Sequence, residues 1–372
     1  MLILGGYGRL GVSVASLLLR ETDVELILSG RRREVAAAAA GRLNALFPGN
    51  RVAACALDAS DMAGMAEAFK GVEAALVCIT HAGHTGEILH SALAAGTDCV
   101  DFRFPQKTVA SYRLAMPAIE KSGRCVITQA GHFPGLASAF LRLAVADFKR
   151  TGGLTLATAM NVPSLDSPGA AEEAIAIFRD LRAEVWQDGR WERAGIRGAR
   201  KVDLGVPFGV RWCVPTFLEE MAGLPERHGV GRAGVYVAGV NGFVNAVVVP
   251  LAMGTRGLGA RSVTRLLARL LRRGIRTFSR PPFGAVFRVE AEGERDDGRA
   301  GALEITAYHG DSYYFAASAA VAGLLQYLDG SVAKPGLWFM GHEADPRRLL
   351  NDMTRFGVDI REARPARLER AA

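Results

Sequence analysis

Residues 1–18, MLILGGYGRLGVSVASLL, run from a short apolar segment through a cluster of glycines into a helix-forming stretch. The pattern predicts a strand, a tight turn and an amphipathic helix. Gly6-Tyr7-Gly8-Arg9-Leu10-Gly11 is a GxGxxG at the turn between them. Alone that spacing is a weak signal. After an apolar strand and at the head of a helix it has the context in which it binds a dinucleotide. One glycine permits the turn, the second lets the backbone approach a pyrophosphate, and the third lets helix and strand pack closely. The helix N-terminus then offers N–H donors and a partial positive charge.

Residues 24–35, VELILSGRRREV, form the next strand and its end. An NAD site usually places Asp or Glu there, to accept hydrogen bonds from the ribose hydroxyls. Here the position falls near Ser29 or Gly30, and Arg31, Arg32 and Arg33 follow. A carboxylate would repel a 2′-phosphate, whereas a small hydroxyl residue followed by guanidinium groups would bind one. The expectation is therefore NADP(H), held by the glycine turn with Ser29, Arg31 and Arg32. The plainer reading makes the arginines a solvated loop. At two further strand ends, Asp58-Ala59-Ser60 could reach the adenine edge, and Thr80-His81 would lie along the nicotinamide ribose; the latter pair could equally be ordinary turn residues.

Outward from this unit, strand and helix patterns alternate to about residue 130, as in EAALVCIT followed by HTGEILHSALAAG. Short apolar strands separated by helices predict a doubly wound parallel Rossmann sheet covered on both faces. After residue 131 the rhythm changes. SPGAAEEAIAIFRDLRAEV reads as a helix opened by Ser167-Pro168, and AVFRVEAEGERDDGRAGALEITAYHG reads as a hairpin. The fold class is α/β: a dinucleotide-binding domain over 1–130, then a mixed α+β domain with an antiparallel-rich sheet over 131–311. The last stretch, 312–372, is expected to pack back onto the first domain.

The whole chain has 372 residues, of which 49% are apolar and 22% charged. That is ample for a large core and argues against wholesale disorder. The net charge of +7 and pI near 9.4 favour anionic small molecules or headgroups. Nucleic acid is not favoured, because no basic stripe is interleaved with stacking aromatics. Five cysteines, Cys55, Cys78, Cys99, Cys125 and Cys213, never fall in CxxC spacing and read as buried free thiols, not as metal ligands. They fit a reduced, cytoplasmic compartment, and the chain opens on a strand without a signal peptide. Residues 233–255 carry no charge and would be long enough to span a bilayer. Asn241, Asn245, four glycines and Pro250, with strand-like β-branched runs, favour a buried core segment over a membrane contact. Residues 265–276, RLLARLLRRGIR, read as a helix covering its own core with a solvated arginine face, the other reading being a helix lying on an anionic membrane.

Residues 73–102 and 124–141, the latter reading RCVITQAGHFPGLASAFL, resemble the saccharopine dehydrogenase-like family. Gly131-His132-Phe133-Pro134-Gly135 is similar to the turn that opens that family's second domain. The late hairpin and residues 334–358 resemble its C-terminal pattern, although Ala316-Ala317-Ser318 stands where the family has a Thr-Gly type of pair. The resemblance implies a nicotinamide-dependent oxidoreductase, most members with known chemistry moving hydride at a C–N bond through an imine. A homodimer through the second-domain sheet follows by analogy alone. No catalytic residue transfers, since no lysine–histidine pair can be matched.

Reduction of an imine needs a proton carrier near the hydride acceptor. His132, His81 and His84 follow strands and are the candidate carriers, each equally at home as a structural histidine. Asp101 at a strand end could orient a histidine, and Arg103 could clamp a substrate carboxylate. Pro134, Gly135, Asn161, Arg211 and Trp212 complete the candidate substrate positions, the last pair suiting an acidic, partly apolar ligand. Two other readings stand beside this one: a reductase of a C=O or C=C bond in a more apolar substrate, and a membrane-associated protein holding NADP(H) without turnover.

Overall fold

The structure is a computed structural model and describes residues 1–80, 82–165, 167–195, 198–257 and 261–368. It divides into two compact units, Met1–Leu136 with Ala316–Phe356, and Ala137–Phe315 with Gly357–Ala372.

The first unit alternates β1 (Leu2–Leu4), α1 (Arg9–Glu21), β2 (Leu26–Gly30), α2 (Arg33–Leu46), β3 (Val52–Ala56), α3 (Met62–Ala68) and β4 (Ala74–Val77). It continues through α4 (Thr85–Ala94), β5 (Asp98–Asp101), α5 (Lys107–Leu114), α6 (Met116–Ser122) and β6 (Cys125–Thr128). These strands lie in the order β3-β2-β1-β4-β5-β6, every pair parallel. β1, β4 and β6 are buried along their whole length, which explains why they read as unbroken apolar runs. Chain order reverses between β1 and β4. A doubly wound sheet opens its ligand crevice beyond the carboxyl ends of the strands at such a point.

The second unit comprises α7 (Leu136–Val145), β7 (Arg150–Asn161), α8 (Pro168–Asp180), β8 (Glu184–Gln187), β9 (Arg190–Arg193), β10 (Arg200–Asp203), β11 (Val210–Thr216), α9 (Leu224–Arg227) and β12 (Arg232–Ala238). A π-helical turn, Val244–Val248, leads into α10 (Val249–Gly254); α11 (Arg261–Phe278), β13 (Gly284–Glu294) and β14 (Ala300–His309) follow. The chain then returns to the first unit through α12 (Ser312–Leu328), β15 (Gly336–Phe339), α13 (Met340–Glu343) and α14 (Pro346–Arg355), and ends in the second with β16 (Asp359–Ala363). Among the described residues the second sheet has nine strands; its path is β10-β11-β12-β7-β13-β14-β16, with β8 paired to β12 and β9 to β8. All its pairings are antiparallel except β7 with β12. The fold is thus α/β with a second, mixed sheet.

Local chemistry explains several boundaries. Ser167 caps α8 with its Oγ accepting from the Ala170 N–H, and Pro168 sits at the first turn, where its missing N–H costs nothing. Asp345 and Pro346 do the same for α14.

Three features differ from the sequence-based expectation. β15 adds a seventh strand to the first sheet, parallel to β6; four residues are too few to show a period. The end of the chain does not stay with the first unit: β16 pairs with β14 in the second sheet. Residues 233–255 are not one strand-like core segment. β12 ends at Ala238, and Asn241 accepts from the Val244 N–H to start a helix, on which Val247, Leu251 and Met253 are exposed. The β-branched run is helical because packing against α8 and α11 outweighs a weak local preference. Among the described residues no helix is long and apolar enough to cross a membrane.

Candidate functional site

The turn after β1 is built by backbone closeness. Gly5 takes a φ of +79°, and the N–H groups of Gly5 and Gly6 both donate to the Ser29 carbonyl, at 3.0 and 2.9 Å. The Gly8 N–H closes the turn onto the Gly5 carbonyl at 2.9 Å, and the Val12 N–H takes up the Gly8 carbonyl to begin α1. A Cβ on Gly6 would stand 2.9 Å from Leu28 Cα, and one on Gly11 would stand 2.5 Å from the Gly5 oxygen. Neither position tolerates a side chain. Gly8 is exposed and caps α1, whose first turn carries no acidic residue, while Arg9 is exposed and Leu10 half-buried beside it. The first turn of a helix presents N–H groups that its own backbone cannot satisfy. This cradle fits a dinucleotide pyrophosphate.

At the end of β2 the expected residues separate. Ser29 is fully buried and its hydroxyl donates to the Ile3 carbonyl at 3.1 Å, so it is directed at β1 and cannot serve a cofactor phosphate. Gly30 is the residue at the opening. The Tyr7 ring lies over it so closely that a Cβ there would come within 2.3 Å of the ring. The Arg32 guanidinium sits 5.6 Å from the Tyr7 centroid, and Arg31, Arg32 and Arg33 are all exposed. Asp58 accepts from the backbone and hydroxyl of Ser60, and these bonds hold its carboxyl below the usual range, helped by the charges of Arg31 and His84. The Ala59 side chain packs on the apolar core instead of opening to a ligand. Thr80 is half-buried beyond β4. His84 caps α4, with Nδ1 3.8 Å from a Glu87 carboxylate oxygen. His81 lies outside the described residues.

Beyond β5, the two residues expected to act on substrate act on each other. Asp101 is fully buried and accepts from Arg103 Nε at 2.9 Å, Nη2 at 2.8 Å and the backbone N–H at 2.9 Å. The Tyr112 hydroxyl donates to the same carboxylate at 2.7 Å. Arg103, 3% exposed, is therefore not the open clamp for a substrate carboxylate that the sequence suggests, and Asp101 does not orient a histidine. Burial with these partners raises the Tyr112 phenol well above its ordinary range.

This network anchors the loop that faces the loop after β6. The Ala130 N–H bonds the Asp101 carbonyl at 3.0 Å, and the Gln129 amide donates to Gln106 at 2.9 Å. A Cβ on Gly135, at φ +133°, would overlap the Gly131 carbonyl, so the turn Gly131–Gly135 is folded tightly on itself. Phe133 and Pro134, joined by a cis peptide bond, follow His132, and the Phe133 ring lies 5.6 Å from that of Phe104. Burial pushes the His132 imidazole down to about 4, so it is neutral at pH 7. Phe104 and Gln129 escape sequence reasoning because loop residues carry no period, and Tyr112 because its place on α5 does not show that its hydroxyl meets Asp101. A hollow of about 500 Å³ bordered by Glu73, Asp98, Arg124 and Tyr327 lies at the opposite, amino-terminal end of the strands.

In the second unit the expected substrate residues do not converge. Asn161 donates to the carbonyls of Arg280 and Pro282, at 2.8 and 2.7 Å, fixing the approach to β13. Arg211 and Trp212 are consecutive on β11 and so point to opposite faces of the sheet. They cannot form one recognition site. Trp212 is 64% exposed and stands opposite Lys201 on β10. The five cysteines are free, and burial raises the Cys99 and Cys213 thiols to about 12.

A family model described as the KR domain matches residues 1–105. No curated protein matches the sequence. Among solved structures, apo histidine-tagged saccharopine dehydrogenase (L-Glu forming) from Saccharomyces cerevisiae is 15% identical; the match covers 98% of this chain and 99% of that one, with a TM-score of 0.69. The chain therefore has the two-domain fold of that protein. A myo-inositol dehydrogenase from Corynebacterium glutamicum is 11% identical over 95% and 93% of the two chains, with a TM-score of 0.44. An engineered D-amino acid dehydrogenase bound to NADP+ is 16% identical over 95% and 98%, with a TM-score of 0.46.

Proposed function

We propose that this chain is an NADP(H)-dependent oxidoreductase acting at a C–N bond of an amino acid-derived substrate. The single observation that carries the cofactor reading is the paired end of β1 and β2. The glycine cradle opens α1 at the point where strand order reverses, and β2 ends in Gly30 with Arg31 and Arg32 instead of a carboxylate. Gly8 and the first turn of α1 would hold the pyrophosphate; Arg31 and Arg32 would hold the 2′-phosphate, with Tyr7 supporting Arg32. The nicotinamide, when bound, supplies or takes the hydride.

The chain's own residues would do the rest. The Asp101–Arg103–Tyr112 network fixes the loop beyond β5. His132, neutral at pH 7, would hydrogen-bond a substrate nitrogen and so position it, since burial holds the imidazole too far below its ordinary value to carry a proton efficiently at that pH. Support for the C–N bond comes from the likeness of fold to a saccharopine dehydrogenase. One observation favours a second reading, reduction of a C=O or C=C bond in a less anionic substrate: Arg103 is committed to Asp101, and Phe133, which follows His132, packs against Phe104.

The cofactor assignment is tested by titrating the protein with NADPH and with NADH by fluorescence, then repeating the titration on Arg31→Ala/Arg32→Ala. The expected result is NADPH tighter by at least about tenfold, each lost charge-assisted contact being worth about 1.5–3 kcal/mol. Equal affinity for both cofactors in the parent chain overturns the role of the arginines. NADPH consumption is then followed with an amine plus keto acid mixture and with apolar carbonyl or enoyl compounds. Turnover of only the latter overturns the C–N reading, and binding without turnover of either points to a protein that merely holds the cofactor.

A further inference from the structure

The helices of the second unit carry a surface that neither the sheet nor the cofactor site explains. α8, α10 with its π-helical lead, and α11 pack around their own core, with Ile175, Val244, Val248, Leu267 and Leu271 all buried. Residues 243–254 and α11 run as a hairpin. Phe243 stacks on Phe278 at 5.1 Å, and the Gly274 backbone lies against the Phe243 ring. At the other end, Arg179 of α8 donates to both Thr255 and Thr264.

The outward side of this hairpin combines two features. Arg261, Arg265, Arg269, Arg273 and Arg276 are exposed and recur at steps of four, four, four and three residues, which makes one stripe along α11. Among the described residues none of these five pairs with a carboxylate. Elsewhere arginines are routinely matched, as Arg288 is with Glu304, Arg295 and Arg364 with Asp147, and Arg348 with Asp329. The second feature is apolar: Leu266 is 63% exposed beside the stripe, and Leu251 and Met253 are exposed on the adjoining helix. Residues 241–255 contain no charged side chain at all.

We infer that this helical hairpin docks the protein onto an anionic phospholipid surface, the arginine stripe at the headgroups and Leu251, Met253 and Leu266 at the acyl boundary. Charge complementarity selects the partner. Five guanidinium groups that no carboxylate among the described residues matches, along a helix of 18 residues, suit a dense field of negative charge. A nucleic acid would supply that charge but would leave the apolar residues in water, whereas a lipid surface takes both. The helices lie on the surface and do not cross it, in keeping with their length and apolarity.

The full chain is sedimented with vesicles of phosphatidylcholine alone and of phosphatidylcholine mixed with phosphatidylglycerol, at low and high salt. Binding to the mixed vesicles only, weakened by salt, is expected. Each arginine neutralised should lower partition about fivefold, since a basic residue at an anionic surface is worth about 1 kcal/mol, and each one reversed should lower it further. Arg265→Glu/Arg269→Glu/Arg273→Glu should therefore abolish binding, and Leu251→Ser/Leu266→Ser should weaken it at all salt concentrations. Circular dichroism melts and NADPH titration establish that each variant is folded. Absence of binding by the parent chain overturns the inference, as does binding to neutral vesicles that neither variant alters. A dimer in sedimentation velocity that the leucine changes dissociate would also overturn it, by assigning the face to a second copy.

Discussion

Asp101 shows how burial changes what a residue can do. Its carboxylate spends its acceptor sites on Arg103 and Tyr112 inside the first unit. Replacing it with Asn leaves the Arg103 guanidinium buried without a counter-charge, a change that typically costs about 3–5 kcal/mol. Urea denaturation of Asp101→Asn should show that loss, and a change below about 1 kcal/mol would mean the pair is not buried as described. His132 makes the complementary case through pH. Its imidazole is held down to about 4 by burial, whereas in an unfolded chain it would titrate near 6.5. Between those values the unfolded state binds more protons, so stability falls as pH drops from about 6.5 towards 4. The Tm of His132→Asn should decline less over that interval than that of the parent chain. Parallel Tm curves would remove burial as the cause. Neither role was legible in the sequence: Asp101, Arg103 and His132 stood out as titratable residues after strands, but their partners depend on which way each side chain turns.

At the level of elements, reading was easiest where the backbone sets the rule. Gly6 and Gly11 are required because a Cβ would strike Leu28 or Gly5, and the GxGxxG spacing announces that requirement directly. The end of α1 shows the opposite case. Arg51, just before β3, donates from Nη1 to the Thr22 carbonyl at 2.5 Å and from Nη2 to the Leu19 carbonyl at 2.6 Å. It thereby places a cation on the negative end of the helix. Nothing in the sequence links residues 51 and 19. Arg51→Met should cost about 1–3 kcal/mol and speed amide hydrogen exchange in the last turn of α1 above all. Uniform exchange changes across the unit would argue against a local cap. β15 and β16 escaped notice for a related reason. Both are short edge strands, and β16, Asp359-Ile360-Arg361-Glu362-Ala363, carries charges that read as tail while protecting an edge from further pairing.

For the whole molecule, each unit is assembled from two separate stretches of chain. The first unit takes in Met1–Leu136 and the returning segment Ala316–Phe356, with β15 and its helices, whereas the chain from Gly357 goes to the second. A chain cut after Leu136 would leave the β6 edge unpaired and strip away Tyr327, whose hydroxyl donates to Asp98 at 2.8 Å. Such a fragment should show no cooperative thermal transition and should associate through the bared edge. A fragment of residues 1–136 that melted sharply as a monomer would show that the returning segment is dispensable.

What the sequence by itself determined is the part governed by neighbours along the chain. Strand and helix periods, helix caps and the glycine turn all act over a few residues, so the parallel sheet, its order of elements and the bed for a dinucleotide could be read directly. What only the tertiary structure decided is the direction of side chains at the strand ends. Ser29 turns inward because the Ile3 carbonyl, 26 residues away, stands beside it in the sheet. Arg31 and Arg32 are left outside. Asp101 closes on Arg103 because Tyr112 and the surrounding core exclude water from both. Such choices depend on register and burial across distant segments, and desolvation makes them large enough to override what each residue would do in solvent.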